Sequence, residues 1–368
     1  MKYDCMIVGG GLSGLALSIL LARAHKRVLL IEKKKYPAHK VCGEYISNES
    51  RSFLVKLGIV PEQLRLPEIN QLVFSDQRGR FVREQLDSGG FGIRRFVLDE
   101  SLFQIAQKEG VDIRTNTTCL GYEKTTQGFK LLTNAGEFEG PILCGAFGRY
   151  AFGNFNKGQT GGENWVGVKY HLRGAFAADT IGLHLFEGGY CGMSQVDDHQ
   201  YCLCYLVKAG MLKKYKGQIS LLETEVLQKN PRLAEIWKAG QKVYKDPLTI
   251  SNVTFYAKQA VVDDVFYLGD SAGSIAPLTG NGMSNALRSA ALLEPCILKI
   301  LNQEWSIVQA GKVYQQTWNQ QMGQRIRVGR WIQYFFCQKA LTPLFFFFVR
   351  NFAFVRRMII RMTHGKPF

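Results

Sequence analysis

A glycine pattern close to the start of this chain limits its fold more than any other feature. Gly9-x-Gly11-x-x-Gly14 directly follows the apolar run Cys5 to Val8 and opens the apolar-rich segment Leu12 to Ala24. Strand, tight turn and helix in immediate succession predict the first half of a Rossmann-type βαβ unit. Arg27 to Ile31 is then the second strand, ending at Glu32. The three glycines are needed for different reasons, since Gly9 makes the turn, Gly11 lets the backbone approach a pyrophosphate, and Gly14 lets helix and strand pack closely. The helix N-terminus, with Ser13 in its first turn, offers unpaired N–H groups and a positive dipole end to phosphate. Glu32 is placed to accept hydrogen bonds from the ribose hydroxyls of an unphosphorylated adenosine. Taken alone, the pattern leaves FAD and NAD open.

A second glycine-rich stretch separates the two. Val265 to Leu268 form a strand that runs into Gly269, Asp270, Ser271 and Ala272, then Pro277, Leu278, Thr279, Gly280, Asn281, Gly282 and Met283 before a long helix. Glycines there free the backbone to approach a flat ring, and a helix starting near Met283 directs its positive end at that ring. The stretch resembles the second flavin-binding motif of the FAD-dependent monooxygenase and geranylgeranyl reductase superfamily. The resemblance implies non-covalent FAD, with Asp270 on a ribityl hydroxyl and Gly280, Gly282 and Met283 against the pyrimidine edge of the ring. Lys40, Val41, Cys42, Gly43 and Glu44 resemble a short motif of geranylgeranyl reductase-like flavoproteins, which implies that Cys42 lies beside the flavin. Arg95, in register with Leu98, Asp99 and Leu102, resembles the superfamily's arginine at a helix start, implying a contact with the ADP part of FAD.

Three family motifs are missing. Phe147-Gly148 stands where many aromatic hydroxylases carry an Asp-Gly pair used for FAD and NADPH. The tryptophans Trp165, Trp237, Trp305, Trp318 and Trp331 are never two residues apart, so the WxWxIP motif of halogenases is lacking. Of the prenyl reductases' YxWxFP substrate motif only Tyr190 remains, and it is the candidate for the substrate-facing tyrosine. Cys42 and Tyr190 are thus the expected catalytic residues, and no metal site is expected. His39 reads as a solvated loop histidine and Glu44 as a surface carboxylate.

The expected architecture is α/β: a Rossmann-type FAD-binding domain with an inserted β-rich substrate domain and a C-terminal helical segment. Residues 1–65, 95–155 and 256–304 would be FAD-binding, 66–94 and 156–255 the substrate domain, and 305–368 the helical segment. Alternating runs such as Tyr201, Leu203, Tyr205 and Val207 predict half-buried antiparallel strands. Gly217 to Ala239 reads as helical, ended by Gly240, and Val261 to Leu268 as one strand.

Nine scattered cysteines without CxxC suit a reducing cytosol, and no export signal or spanning segment is visible. The net charge is +16, yet Trp305 to Phe368 contains ten Lys or Arg and no acid. Phenylalanine and arginine interleave from Arg325 onward, and Pro343 predicts a break into two helices. That segment fits either an anionic membrane interface or a cap closing the substrate domain. Cytoplasmic placement, peripheral on the inner face of a membrane, is the expectation.

The expected function is FAD-dependent reduction of an apolar lipid, isoprenoid or polyketide-type intermediate, with NADPH or NADH as a transiently bound donor. Hydroxylation or epoxidation by a monooxygenase is the alternative within enzymes. A flavin-fold protein that binds nucleic acid or a ligand without turnover is the alternative of another class; nucleic acid is the weaker partner, because no RNA or DNA module is recognisable. Nothing in the sequence sets the oligomeric state.

Overall fold

The computed structural model describes residues 2–149, 152–155, 163–253, 258–275, 278, 280–337, 341–363 and 365–368. A six-stranded sheet carries the N-terminal unit, in the order Val261–Val262, Val265–Tyr267, Ile142–Gly145, Cys5–Val8, Val28–Ile31, Asp112–Arg114. All its pairings are parallel except that of the short edge strand Val261–Val262. Cys5–Val8, Val28–Ile31 and Ile142–Gly145 are buried throughout, as strands covered on both faces must be. The helix Leu12–Arg23 packs against Arg95–Lys108 and Gly282–Leu301.

A nine-stranded, mainly antiparallel sheet forms the second layer. It unites chain segments far apart in sequence, because Glu68–Ser75 pairs in parallel with Thr180–Phe186, placing Ser75 opposite His184. Tyr45–Ser47 forms one end of this sheet through its pairing with Phe81–Gly92. One face is covered by the short helices of 209–239 and the other by the C-terminal helices. A separate three-stranded sheet, Cys119–Thr125, Gly128–Thr133 and Gly136–Gly140, has no counterpart among the elements expected from sequence.

Three expectations need correction. Gly217 to Ala239 is not one helix but Ile219–Glu225, a 3-10 turn and Pro231–Ala239. Pro231 opens the last of these under an Asn230 cap that accepts from the Arg232 N–H. Val261 to Leu268 is not one strand: Asp263 and Asp264 both take positive φ, turning it into a hairpin. From Arg325 onward the described residues form not two helices but three, Gln324–Cys337, Thr342–Asn351 and Ala353–Thr363. Pro343 lies in the first turn of the second, where its missing N–H costs nothing, and a further break falls at Phe352.

The junction of the two strand groups generates a pH dependence. His184 is buried and shares a 2.8 Å hydrogen bond with Ser75, whose hydroxyl also accepts from Asn230. Burial, with Arg232 adding, lowers the His184 pKa from 6.5 to about 4. The unfolded chain therefore takes up this proton first. The contribution is fully present above about pH 6.5 and is lost as pH falls towards 4, by roughly 3 kcal/mol. Urea melts of the wild type and His184→Gln across that window check this: the wild type should lose the extra stability, and the variant should lack that component of the slope.

Candidate functional site

The first glycine loop has little spare room, and each glycine meets a different neighbour. A Cβ on Gly9 would lie 2.5 Å from the Ala146 carbonyl, and one on Gly14 would lie 2.0 Å from the Gly9 oxygen. A Cβ on Gly11, by contrast, would meet nothing closer than 4.0 Å, which leaves its outer side open to a ligand. Glu32, at the end of the next strand, accepts from the N–H of Gly10 and of Lys34 and so braces the loop. The helix Leu12–Arg23 begins with no side-chain cap and no acid in its first turn. The first N–H groups of a helix have no intrahelical acceptor, and no side chain caps these.

The second motif lies directly against the first. A Cβ on Gly269 would be 3.1 Å from Ser13 Oγ, so the loops that follow Cys5–Val8 and Val265–Tyr267 touch. Asp270 pairs with Arg149 at 2.9 Å, and Lys258 donates to the Arg149 carbonyl. Burial, opposed by Asp270, lowers the Lys258 pKa to about 8. Pro277 and Thr279 lie outside the described residues. Gly280 holds φ +69, and Gly282 starts a helix that also lacks a side-chain cap and an acid in its first turn. Met283 is buried in the core beneath it. Ser274 Oγ, Asn281 Oδ1 and Ser284 Oγ are buried without a hydrogen-bond partner along the same stretch.

The loop of residues 40–44 lies between the strand Trp165–Arg173 and the helix Arg95–Lys108, and Glu44 is its anchor. The expectation of a surface carboxylate is wrong: Glu44 is 0% exposed. Its Oε1 lies 2.5 Å from Lys169 Nζ and accepts from the Arg95 N–H, while its Oε2 lies 2.7 Å from His171 Nε2. Burial would push the Glu44 carboxyl up, but the His171 and Lys169 contacts outweigh it and hold it below the usual carboxylate range. Glu44 also has φ 57, a conformation costly for a side-chain-bearing residue, fixed in part by the Ile93 N–H on its carbonyl. Cys202 Sγ donates to the Cys42 carbonyl at 3.2 Å. Glu44, His171 and Cys202 bring metal-ligating atoms within 4.8 Å of one another, but the Lys169 ammonium already supplies the cation on that carboxylate.

Arg95 is no surface arginine. It grips Asp99 through two bonds of 2.7 Å, and Lys40 reaches the same carboxylate at 2.8 Å. Burial alone would raise the Asp99 pKa; Arg95 and then Lys40 overcome it and lower the value. His39 is not solvated as expected, but half-buried, its ring stacked on Phe96 and edged by Tyr244. Burial, with His171 second, lowers its pKa.

Beyond Gly280 lies an apolar cavity of about 120 Å³ between the nine-stranded sheet and the C-terminal helices. Leu72, Phe74, Val82, Leu86, Ile181 and Leu183 line the sheet side, alternating along three paired strands. Ile332, Phe345, Val349, Ile359 and Ile360 line the helix side, and Tyr45 and Gly280 the end towards the second motif. Tyr190 does not line the cavity; it is buried in the apolar cluster that includes Phe74 and Leu278.

The structure therefore brings Gly9, Gly11, Ser13, Gly14 and Glu32 together with the Gly269–Asp270 loop, and Arg95 together with the loop of Cys42. Lys169, His171, Tyr45, Arg149 and Lys258 escaped the sequence reading. Only Arg149 and Tyr45 carried a local signal, following Gly148 and Glu44 directly; the others are brought in by strand pairing or a distant loop.

A family described as "FAD binding domain" matches residues 2–135. The chain is 22% identical to a digeranylgeranylglycerophospholipid reductase of Methanosarcina mazei over 88% of its own length and 82% of the relative's. It is 24% identical to the conditioned medium factor receptor 1 of Dictyostelium discoideum, over 87% and 68%. Its fold is similar to that of a flavin-dependent brominase, with TM-score 0.80, 18% identity and coverage of 99% and 93%. A geranylgeranyl bacteriochlorophyll reductase-like protein from Thermoplasma acidophilum gives TM-score 0.76 at 17% identity, covering 99% and 92%. The chain is a flavoprotein enzyme whose cofactor is FAD. Over most of its length it is similar to geranylgeranyl reductase-like proteins, and it shares its fold with flavin-dependent enzymes.

The Glu44 pair yields a test of its own. Glu44→Ala should destabilise the protein by about 3–5 kcal/mol, because it strands the Lys169 charge in the interior. Glu44→Ala with Lys169→Met should recover most of that loss in denaturant melts; a double variant as unstable as the single one would contradict the pairing.

Proposed function

We propose that this enzyme reduces an apolar lipid, isoprenoid or polyketide-type intermediate held in the cavity between the nine-stranded sheet and the C-terminal helices. The observation that carries the reading is the cavity itself, apolar on both walls apart from the mutually paired Glu84 and Arg356 and ending at Gly280 of the second glycine motif. The FAD site is assigned to Gly9, Gly11, Ser13, Gly14 and Glu32 for the adenosine and pyrophosphate, with Arg95 near the ADP part. Asp270 is assigned to the ribityl chain, and Gly280, Gly282 and Met283 to the ring. Two uncapped helix starts, the open side of Gly11 and the three orphan polar atoms of 274–284 fit a large anionic, hydrogen-bonding group. Bound FAD supplies hydride chemistry, and the protein supplies position and exclusion of water.

Within this reading the loop of 40–44 keeps Cys42 at the flavin side of the cavity, with Tyr190 as a further candidate in the same nine-stranded sheet, outside the cavity lining. NADPH or NADH is the proposed donor. The relatives named as reductases match over most of both chains, which favours reduction over oxygenation. The discriminating experiment mixes chemically reduced, FAD-loaded protein with a panel of polyunsaturated isoprenoid and polyene lipids. Reoxidation of the flavin without oxygen, with a product that gains two hydrogens, is expected. Reoxidation only with oxygen, with a product that gains an oxygen atom, would make the enzyme a monooxygenase.

We further propose that the enzyme works at an anionic membrane surface. Phe346 and Val349 seal the cavity side of the C-terminal helices, while Trp331, Phe347 and Phe354 are 72%, 55% and 76% exposed. Arg350 and Arg361 are exposed on the same helices, in a segment without acids. Aromatic rings reaching the acyl boundary and arginines at lipid headgroups suit interfacial binding. No helix among the described residues is long and apolar enough to cross a membrane. The protein should sediment with phosphatidylglycerol vesicles at low salt and several-fold less with phosphatidylcholine vesicles. Phe347→Ser with Phe354→Ser should weaken the first binding several-fold; unchanged sedimentation would remove the membrane from the proposal.

A further inference from the structure

Tyr45 has a polar atom with no use in the structure and a position that gives it one. The residue is 5% exposed, and its hydroxyl is buried without a hydrogen-bond partner. Leaving a buried hydroxyl unpaired costs stability, so an unpaired one at the wall of a cavity points to a ligand. The ring is held firmly. A Cβ on Gly90 would come within 2.6 Å of its Cε2, and one on Gly280 within 3.3 Å of its Cδ1, so the phenol lies between two glycines. Backbone pairing of Tyr45 with Gly92 secures the strand, and the adjacent Glu44 is anchored by Lys169 and His171. Burial, with Glu49 second, raises the phenol's pKa, which keeps it protonated and a donor at neutral pH.

The rest of the cavity wall offers little competition for a polar ligand atom. Glu84 and Arg356, which also line it, bond each other at 2.7 Å, and Arg356 further donates to the Val349 carbonyl. We propose that Tyr45 Oη donates a hydrogen bond to an oxygen of the substrate, and that the site selects an otherwise apolar molecule carrying one acceptor oxygen at its flavin-loop end. This rests on the cavity being the substrate site. An α,β-unsaturated carbonyl compound fits the assignment: a hydrogen bond to its oxygen positions the conjugated carbons at the flavin side and draws electron density away from them. Tyr45 thereby acts as a specificity and positioning residue.

The test measures binding, so that it is independent of turnover. FAD-loaded wild-type protein and Tyr45→Phe, which keeps the ring between its glycines, are titrated with 2-cyclohexenone and with cyclohexene, following flavin absorbance and competition between the probes. The expected result is an affinity for 2-cyclohexenone about tenfold lower in the variant, with that for cyclohexene unchanged. Equal changes for both probes, no change for either, or no detectable binding to the wild type would overturn the proposal. If instead ligand-free Tyr45→Phe binds FAD more weakly and its absorbance bands shift, with probe affinities unaltered, the hydroxyl serves the flavin and the proposal falls. Wild-type protein that takes up no FAD would defeat the flavin assignment itself, a separate outcome.

Discussion

The buried Glu44 carboxylate holds the two halves of this protein in register. It receives Lys169 and His171 from the strand Trp165–Arg173, next to one end of the nine-stranded sheet, and the Arg95 N–H from a helix of the FAD-binding unit. Both Glu44 and Lys169 are out of water, so neither charge is tolerable without the other. The pair therefore contributes less to net stability than to specificity: only one docking of the loop on the sheet satisfies it. A second buried carboxylate, Asp99, does the same a turn away, taking Arg95 and Lys40. The loop between Lys40 and Glu44 is thus fastened at both ends by ion pairs, and Cys42 in the middle has little freedom.

That fastening has consequences for the cavity. Tyr45 follows Glu44 directly and begins the strand that ends the large sheet, so the loop facing the flavin motif and the cavity wall share one rigid origin. Gly280 brings the second motif to the Tyr45 ring. Asn281 Nδ2 in turn donates to the Thr363 carbonyl, which ties the flavin loop to the last C-terminal helix. Flavin loop, sheet wall and helical cover meet within a few residues of one another, and a change at any of them is transmitted through packed contacts.

The C-terminal helices have a packed side and an exposed side. Their inner faces bury Phe346 and Val349 against the sheet, and Arg356 bonds Glu84 across it. Their outer faces leave large aromatic side chains in water. Of the two readings of this segment from sequence, the cap describes its inner side; the membrane-facing surface is a proposal for its outer one.

The dinucleotide fold and the glycine loops were legible before any coordinates. Those features are local: Gly9 and Gly14 are required by contacts within one strand–turn–helix unit and the loop after the strand beside it, and their spacing records that geometry. The short strand Tyr201–Lys208 could be placed for the same reason, but it is covered on both faces and not half-buried as its alternation predicts, because helices pack on the sheet from one side and strands and loops from the other. Only long-range packing fixes the burial of Glu44, the pairing of Lys169 and His171 with it, and the seat of Tyr45 between Gly90 and Gly280. Lys169 lies on an alternating strand where a lysine reads as solvent-facing, and only the loop laid over that strand makes it an interior cation. A carboxylate's burial depends on what folds on top of it, and for Glu44 those atoms come from more than a hundred residues away.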